Sequence, residues 1–305
     1  MLRAYYSDHF VLPLPDGHKF PMAKYSRLRE RILAEGIIAA EHLCEAPAAD
    51  WDDLRLVHDP GYVDAVATGT VPPDIQRRIG FPWSPQMVER ARRSVGATIA
   101  AAHAALDDGA AANLAGGTHH AFADRGEGFC VFNDVAVAAR VLQRGRHARR
   151  IAVVDLDVHQ GNGTAAIFAG DPSVFTFSMH GAHNFPFRKE VSDLDVPLND
   201  GTADDDYLAL LATHLPSALN GSQPDFVFYL AGADPYEGDR LGRLKLTIGG
   251  LRRRDEMVIG ACRRAGLPLA ISMSGGYAPD IDAIVTIHAN TIRTAAHKWP
   301  NTFAS

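Results

Sequence analysis

Ile151-Ala152-Val153-Val154-Asp155-Leu156-Asp157-Val158-His159-Gln160-Gly161-Asn162-Gly163 decides the fold. Its first five residues are apolar almost without interruption, the pattern of a strand buried on both faces. Three runs of the same kind follow: Val174-Phe175-Thr176-Phe177-Ser178, Phe226-Val227-Phe228-Tyr229-Leu230 and Leu269-Ala270-Ile271-Ser272-Met273. Helical patterns around 134–142, 204–219 and 249–265 alternate with these runs, so the order is strand then helix, repeated. Ser84-Pro85 reads as an N-cap and first helical proline opening an Ala-rich helix to about Leu106. An α/β protein with a mostly parallel central sheet, covered by helices on both faces, is expected.

No repeat, low-complexity tract or linker divides the 305 residues, and 47% hydrophobic with 22% charged residues supplies a large core. One domain spanning 1–305 is the resulting expectation. The segment from Val71-Pro72-Pro73 to Phe81-Pro82-Trp83 reads as an irregular surface loop. A net charge of -6 without a long basic run argues against nucleic acid as a ligand. Cys44, Cys130 and Cys262 are far apart and lack Cys-x-x-Cys spacing, so neither a disulfide framework nor a cysteine metal site is signalled. The opening residues lack the apolar core of a signal peptide, and no run approaches the ~18 apolar residues of a membrane span. A cytoplasmic protein is expected.

Ligands of open α/β sheets bind beyond the carboxyl ends of the strands, and the polar residues here cluster at those ends. Asp155, Asp157 and His159 fall at alternate positions, which in extended chain share one face. Such a buried group needs a cation among its members, or else it comprises a helix-capping Asp and a hydrogen-bonded His. Leu230-Ala231-Gly232-Ala233-Asp234-Pro235 delivers another carboxylate to a strand end, where a turn-initiating Asp-Pro is the plainer reading. Taken together, Asp157, His159 and Asp234 form a set with open positions suited to a hydrolytic divalent ion. Zn²⁺ is favoured, and Fe²⁺ or Mn²⁺ also accepts an oxygen-rich set. Gly116-Gly117-Thr118-His119-His120 supplies candidate bases or surface histidines. Gly126-Glu127-Gly128-Phe129-Cys130 and Ser274-Gly275-Gly276-Tyr277 are turns that bring an aromatic residue along.

The order His-His, Gly-Phe-Cys, Asp-x-Asp-x-His, Gly-Ala-Asp, Gly-Gly-Tyr resembles the arginase and deacetylase superfamily, specifically class IV histone deacetylases and their bacterial relatives. Arg78-Ile79-Gly80-Phe81 and Glu237-Gly238-Asp239-Arg240-Leu241-Gly242 are similar to the class IV branch in particular. The resemblance implies a single-domain, three-layer arginase/deacetylase fold and zinc-dependent removal of acyl groups from lysine. It implies Asp157, His159 and Asp234 as zinc ligands, and Tyr277 as hydrogen-bond donor to the acyl carbonyl. His119 and His120 would handle protons, paired with Asp155 and Asn162 respectively. Because Asn162 adds no charge, His120 would be the less basic histidine and the working acid and base.

By the same resemblance a potassium ion would lie beside the zinc, on Asp155, Ser178, and the main chain of Asp157, His159 and Met179. A second would use backbone oxygens of Phe168, Asp171 and Val174. Gly128, Phe129 and Phe185 would wall a tube for a linear side chain, with Phe187 competing for the last place. The acidic residue that class I enzymes place at the entrance has no counterpart, which weighs against a preference for histone tails. The implied substrates are acyl-lysine proteins or peptides, with acetylpolyamines or other small acylated amines as the rival. Arginase activity and a non-catalytic acyl-lysine reader are weaker alternatives. Relatives include dimers and tetramers, so a homo-oligomer is compatible with the resemblance.

Overall fold

The computed structural model describes residues 2–15 and 17–299. Its strands are β1 (Arg3–Tyr6), β2 (Leu43–Glu45), β3 (Ala110–Asn113), β4 (Ile151–Asp155), β5 (Val174–Gly181), β6 (Leu194–Leu198), β7 (Phe226–Leu230) and β8 (Leu269–Ser272). They form one sheet in the order β2-β1-β3-β8-β7-β4-β5-β6, and every neighbouring pair is parallel. The helices are α1 (Lys24–Ala34), α2 (Trp51–Leu54), α3 (Pro60–Thr68), α4 (Pro73–Ile79), α5 (Pro85–Asp108), α6 (Asp134–Arg144), α7 (Asn162–Ile167), α8 (Asp204–Pro216), α9 (Ile248–Ala265) and α10 (Ile281–Lys298).

The side-chain alternation of each strand builds the three layers. Ile151 and Val153 of β4, with Phe226 and Phe228 of β7, face the alanine-rich surfaces of α5 and α6. Ala152 and Val154, with Val227 and Tyr229, face a second core that includes Leu28 of α1, Leu211 of α8, Val258 of α9 and Ile292 of α10. Both sheet faces are therefore apolar, as the unbroken hydrophobic runs require. The four expected strands are present. β5 continues three residues further, to Gly181.

One expectation is corrected and another is refined. The stretch from Val71 to Trp83 is no surface loop, since it contains α4 and carries Ile79 and Phe81 into the core, 0% and 6% exposed. Pro73 stands in the first turn of α4, where its missing N–H costs nothing, and Gly80 ends it with φ +78°. The helix expected over 204–219 is present, but its α-helical part ends at Pro216, which has no N–H, and Ser217–Gly221 continue it with a different pitch. The chain then makes a wider turn in which the Ser222 N–H donates to the Ser217 carbonyl at 3.2 Å.

Register is what positions the site. Asp155 lies opposite Ser178 and Leu230, Leu230 opposite Ser272, and Ser272 opposite Asn113. The loops that follow β3, β4, β7 and β8 therefore leave the sheet side by side. Arg254 of α9, fully buried, braces two of them: its Nη1 donates to the carbonyls of Gly232 at 2.6 Å and Leu156 at 3.3 Å. Its Nε reaches Asp255 Oδ1 at 2.9 Å, and Asp255 also accepts from Tyr229 and Thr291, each at 2.6 Å. Removing one partner of a buried ion pair strands the other charge. Arg254→Met is expected to lose about 3–5 kcal/mol in denaturant unfolding; a loss below about 1 kcal/mol would show that the brace is dispensable.

Candidate active site

Beyond β4 the chain leaves the extended conformation at once. The Asp155 carboxylate accepts the Asp157 N–H at 3.1 Å, and the Asp157 carboxylate accepts the His159 N–H at 3.0 Å. These successive side-chain-to-backbone turns replace the extended face expected for Asp155, Asp157 and His159. Asp155 is rotated toward His119, while Asp157 and His159 meet Asp234 from the loop after β7. One ligand atom from each of these three lies within 4.8 Å of the others, and all three residues are buried.

His159 Nδ1 is 3.0 Å from Asp157 Oδ1 and 3.2 Å from Asp234 Oδ2. One ring nitrogen carries at most one hydrogen, so it cannot direct a bond to both oxygens, and Asp234 Oδ2 is left without a well-aligned donor. The remaining carboxylate oxygens are occupied. Val158 N–H donates to Asp234 Oδ1 at 2.9 Å, and the Ser274 hydroxyl and Gly275 N–H donate to Asp157 Oδ2, each at 2.7 Å. Burial first, and then the Asp157 charge, raise the Asp234 carboxyl to about 7, because two carboxylates in one dry site resist joint ionisation. An orphaned oxygen, a converging imidazole and two carboxylates fit a divalent ion, whose ligands at ~2.0–2.2 Å would stand about 3.3 Å from one another. Asp157, His159 and Asp234 are the residues that could hold it.

The loop after β3 places two histidine rings beside this trio, with centroids 4.2 Å apart. Asp134 fixes that loop by accepting from the Gly117 and Thr118 N–H groups and the Thr118 hydroxyl. His119 Nδ1 lies 2.6 Å from Asp155 Oδ2, and His120 Nδ1 lies 2.7 Å from Asn162 Oδ1. Burial disfavours charge on His119, but Asp155 and then Asp157 outweigh it and raise the ring to about 9. For His120 burial acts with the positive neighbours His119 and His159, and holds its pKa well below the ordinary histidine value. Asn162 in turn donates to Glu127 at 3.2 Å, which orients its amide with the oxygen toward His120.

Gly128, Phe129, Phe185, His159 and Tyr277 line the mouth leading to the trio. Phe185 is set against His120, with ring centroids 4.9 Å apart, whereas Phe187 is 84% exposed at the rim. The Phe129 ring lies 6.0 Å from Tyr277. A side chain at Gly128 would meet His120 Cδ2 at 2.6 Å. Ser178 lies across the ladder from Asp155, but its hydroxyl is 3.0 Å from His180 Nδ1, and Met179 is buried. The carbonyls of Phe168 and Asp171 already accept turn hydrogen bonds, from Asp171 N–H and Val174 N–H respectively.

Several contributors were missed, either because they gave no sequence signal, as with Phe20, or because they stood in the Arg78-Ile79-Gly80-Phe81 motif without a visible role. The carbonyls of Arg78 and Ile79 accept the N–H groups of Gly128 and Phe129, at 3.0 and 2.9 Å, so the misread segment before α5 props the channel wall. Phe20 and Phe81 pack on Phe129 at 5.4 and 5.3 Å. Asp239 accepts the Tyr277 N–H at 2.6 Å. An acid within Glu237-Gly238-Asp239 was visible, but its target was not.

Residues 18–292 match the family model described as the histone deacetylase domain. The chain belongs to the histone deacetylase family. It is a hydrolytic deacetylase, and histone deacetylase 2 of Arabidopsis thaliana is 32% identical to it over 85% of this chain and 70% of that protein. An uncharacterized protein of Picosynechococcus sp. is 49% identical over 95% of this chain and 97% of its own length. The crystal structure of an acetylpolyamine aminohydrolase from Burkholderia pseudomallei superposes with a TM-score of 0.79, covering 97% of this chain and 99% of that one at 21% identity, a likeness of fold.

A Cβ on Gly275 would stand 1.8 Å from Asp234 Oδ2 and 2.6 Å from Asp157 Oδ2. Gly275→Ala is expected to weaken divalent-ion affinity by roughly 10- to 100-fold, measured by Zn²⁺ titration. Wild-type affinity in this variant would mean that the three residues are not the ligands.

Proposed function

We propose that this protein is a cytoplasmic, zinc-dependent enzyme that hydrolyses the amide of Nε-acyl-lysine in proteins or peptides, with acetyl or a longer acyl group. The observation that carries this reading is the buried trio of Asp157, His159 and Asp234 beside two histidines in opposite charge environments. Zn²⁺, or Fe²⁺ in its place, would be held by that trio and would supply polarisation of the scissile carbonyl and a water acidified to near neutrality.

Phe129 and Phe185 grip the lysine stem by apolar contact, and Gly128 leaves room beside His120 for it to pass. His120, neutral because it is buried among positive charges, accepts the proton of the attacking water. His119 stays charged against Asp155 and stabilises the oxyanion that develops as the carbonyl carbon becomes tetrahedral. The Tyr277 hydroxyl donates to that oxygen. His120 then returns its proton to the lysine nitrogen as the carbon–nitrogen bond breaks, leaving free lysine and a carboxylate. Asp155 and Asn162 orient the two rings. One potassium ion on Asp155, Ser178 and Met179, with the main chain of Asp157 and His159, would stiffen the loop after β4. A second would lie on the backbone of Phe168, Asp171 and Val174.

The mouth has no acidic excess for a polycation to bind: among the described residues, Arg78 and Glu127 both line it, and Arg243 and His183 are each held by Asp200, at 3.1 and 3.2 Å. That balance favours a peptide over an acetylpolyamine.

Metal-loaded protein is expected to turn over a fluorogenic acetyl-lysine peptide faster than any acetylpolyamine, and to lose activity on chelation. His120→Ala should lower kcat by roughly 10²- to 10⁴-fold, and Tyr277→Phe by roughly 10²- to 10³-fold. Substantial activity in His120→Ala together with its abolition in His119→Ala would reverse the two histidine roles. Preferential polyamine turnover would overturn the substrate class.

A further inference from the structure

Beside the trio lies a chamber whose wall carries a cation that the reaction above does not use. Open space of about 70 Å³ is lined by Asp157, His159 and Tyr277 of the site, by Gly117, and by Arg90 of α5. At roughly 10–15 Å³ for each water, it would hold several. Arg90 is 8% exposed, and its Nη1 is enclosed with no hydrogen-bond partner. Among the described residues no carboxylate forms an ion pair with it. Its guanidinium lies 4.6 Å from the Tyr25 ring centroid, a cation–π contact. The same ring lies 5.2 Å from Nζ of Lys24, a second buried cation, which donates to the carbonyls of Ser274 and Gly276.

Two buried cations thus share one aromatic ring, and among the described residues no carboxylate forms an ion pair with either. A guanidinium does not shed its proton, so burial cannot be relieved by neutralisation, and an unpaired buried charge is costly. The chamber wall includes Leu12, Phe20, Phe81 and Phe132, and the Phe20 ring lies 6.2 Å both from Tyr277 at the site and from Tyr25 beside Arg90, so an apolar surface suited to methylene groups separates the two. The space therefore has a reacting centre at one end, an apolar middle and an unsatisfied cation at the other end.

We propose that this chamber is an acyl-group subsite in which Arg90 binds a terminal carboxylate, so that lysines acylated with a dicarboxylic acid, of the malonyl, succinyl or glutaryl type, are substrates. The inference rests on the deacylase reading above. The scissile carbonyl lies at the trio, the methylenes lie along the apolar wall, and the far carboxylate pairs with Arg90 through charge-assisted hydrogen bonds. Hydrolysis breaks the amide carbon–nitrogen bond, adds the water's hydroxyl to the acyl carbon and its hydrogen to the lysine nitrogen, and releases a dicarboxylate. Arg90 keeps its charge throughout.

The test compares wild type, Arg90→Met and Arg90→Lys on one peptide bearing acetyl-, pentanoyl-, malonyl-, succinyl- or glutaryl-lysine. In the wild type at least one dicarboxylic acyl group should exceed pentanoyl in kcat/KM. That ratio should fall by roughly 10- to 100-fold in Arg90→Met and recover in part in Arg90→Lys, which also serves if the methionine variant does not fold. Turnover of acetyl-lysine with none of the three dicarboxylic substrates, or an equal loss on every substrate in Arg90→Met, overturns the inference and leaves the deacylase reading intact. An unchanged ratio with weaker product inhibition by acetate in Arg90→Met would assign the chamber to the released acid, and overturns it too. If no acyl-lysine is cleaved, the deacylase reading fails by itself. Calorimetry of free glutarate against free pentanoate on the metal-loaded protein then decides: a glutarate advantage lost in Arg90→Met supports the carboxylate site, and equal binding overturns it.

Discussion

Asp157 and Asp234 are two carboxylates brought together, out of water, at the carboxyl ends of adjacent strands, and most of the surrounding structure answers that constraint. The register of β4 with β7, which ends with Asp155 opposite Leu230, starts their two loops side by side. Each carboxylate is supplied with donors: Ser274 and Gly275 for Asp157, and the Val158 N–H for Asp234. The glycines at 232 and 275 keep space clear where any side chain would strike a carboxylate oxygen. Arg254 holds the two loops from beneath through their carbonyls. What remains is the open oxygen of Asp234 facing the nitrogen of His159, and a cation is the species that satisfies both.

The parts of this arrangement legible in sequence were those encoded locally. An unbroken apolar run followed directly by Asp-x-Asp-x-His marks both a buried strand and the loop beyond it, and β4 and β7 have the expected bounds. The reason given for convergence was nevertheless incomplete. Asp157 and His159 meet because successive aspartates turn the backbone, and those turns rotate Asp155 away to His119. Short strands were illegible for a physical reason. Ala110-Ala-Ala-Asn113 has no side chain favouring a strand, and is one because β1 and β8 flank it. Phe20 and Arg90 were likewise invisible, and Phe81 was seen only as part of a motif without a role, since each reaches the site by packing across the chain.

The two histidines show how little chemical difference is needed to divide their properties. They are consecutive, equally buried, and each offers Nδ1 to an oxygen at nearly the same distance. One oxygen belongs to a carboxylate and the other to an amide, so His119 is raised to about 9 while His120 falls well below its ordinary value. Once His119 holds a proton, its charge further depresses His120. The split is therefore self-reinforcing, and it begins from the side chains at positions 155 and 162.

The channel wall and the tyrosine loop carry backbone strain, and the same network holds it in place. Phe129 and Ser274 are non-glycine residues at φ +66° and +57°, a region that costs a side chain about 1–2 kcal/mol. Phe129 is retained there by its N–H bond to the Ile79 carbonyl and by packing against Phe20 and Phe81. Ser274 is retained by its hydroxyl on Asp157, one of the proposed ligands. Tyr277 follows three residues later, anchored by Asp239. Asp157 is thus both part of the trio and the anchor of the strained turn that sets Tyr277, so a displacement of its carboxylate acts on the tyrosine loop as well. Ligand geometry and tyrosine position are two readings of one hydrogen-bonded unit, which is why this loop tolerates a conformation that its residues would otherwise avoid.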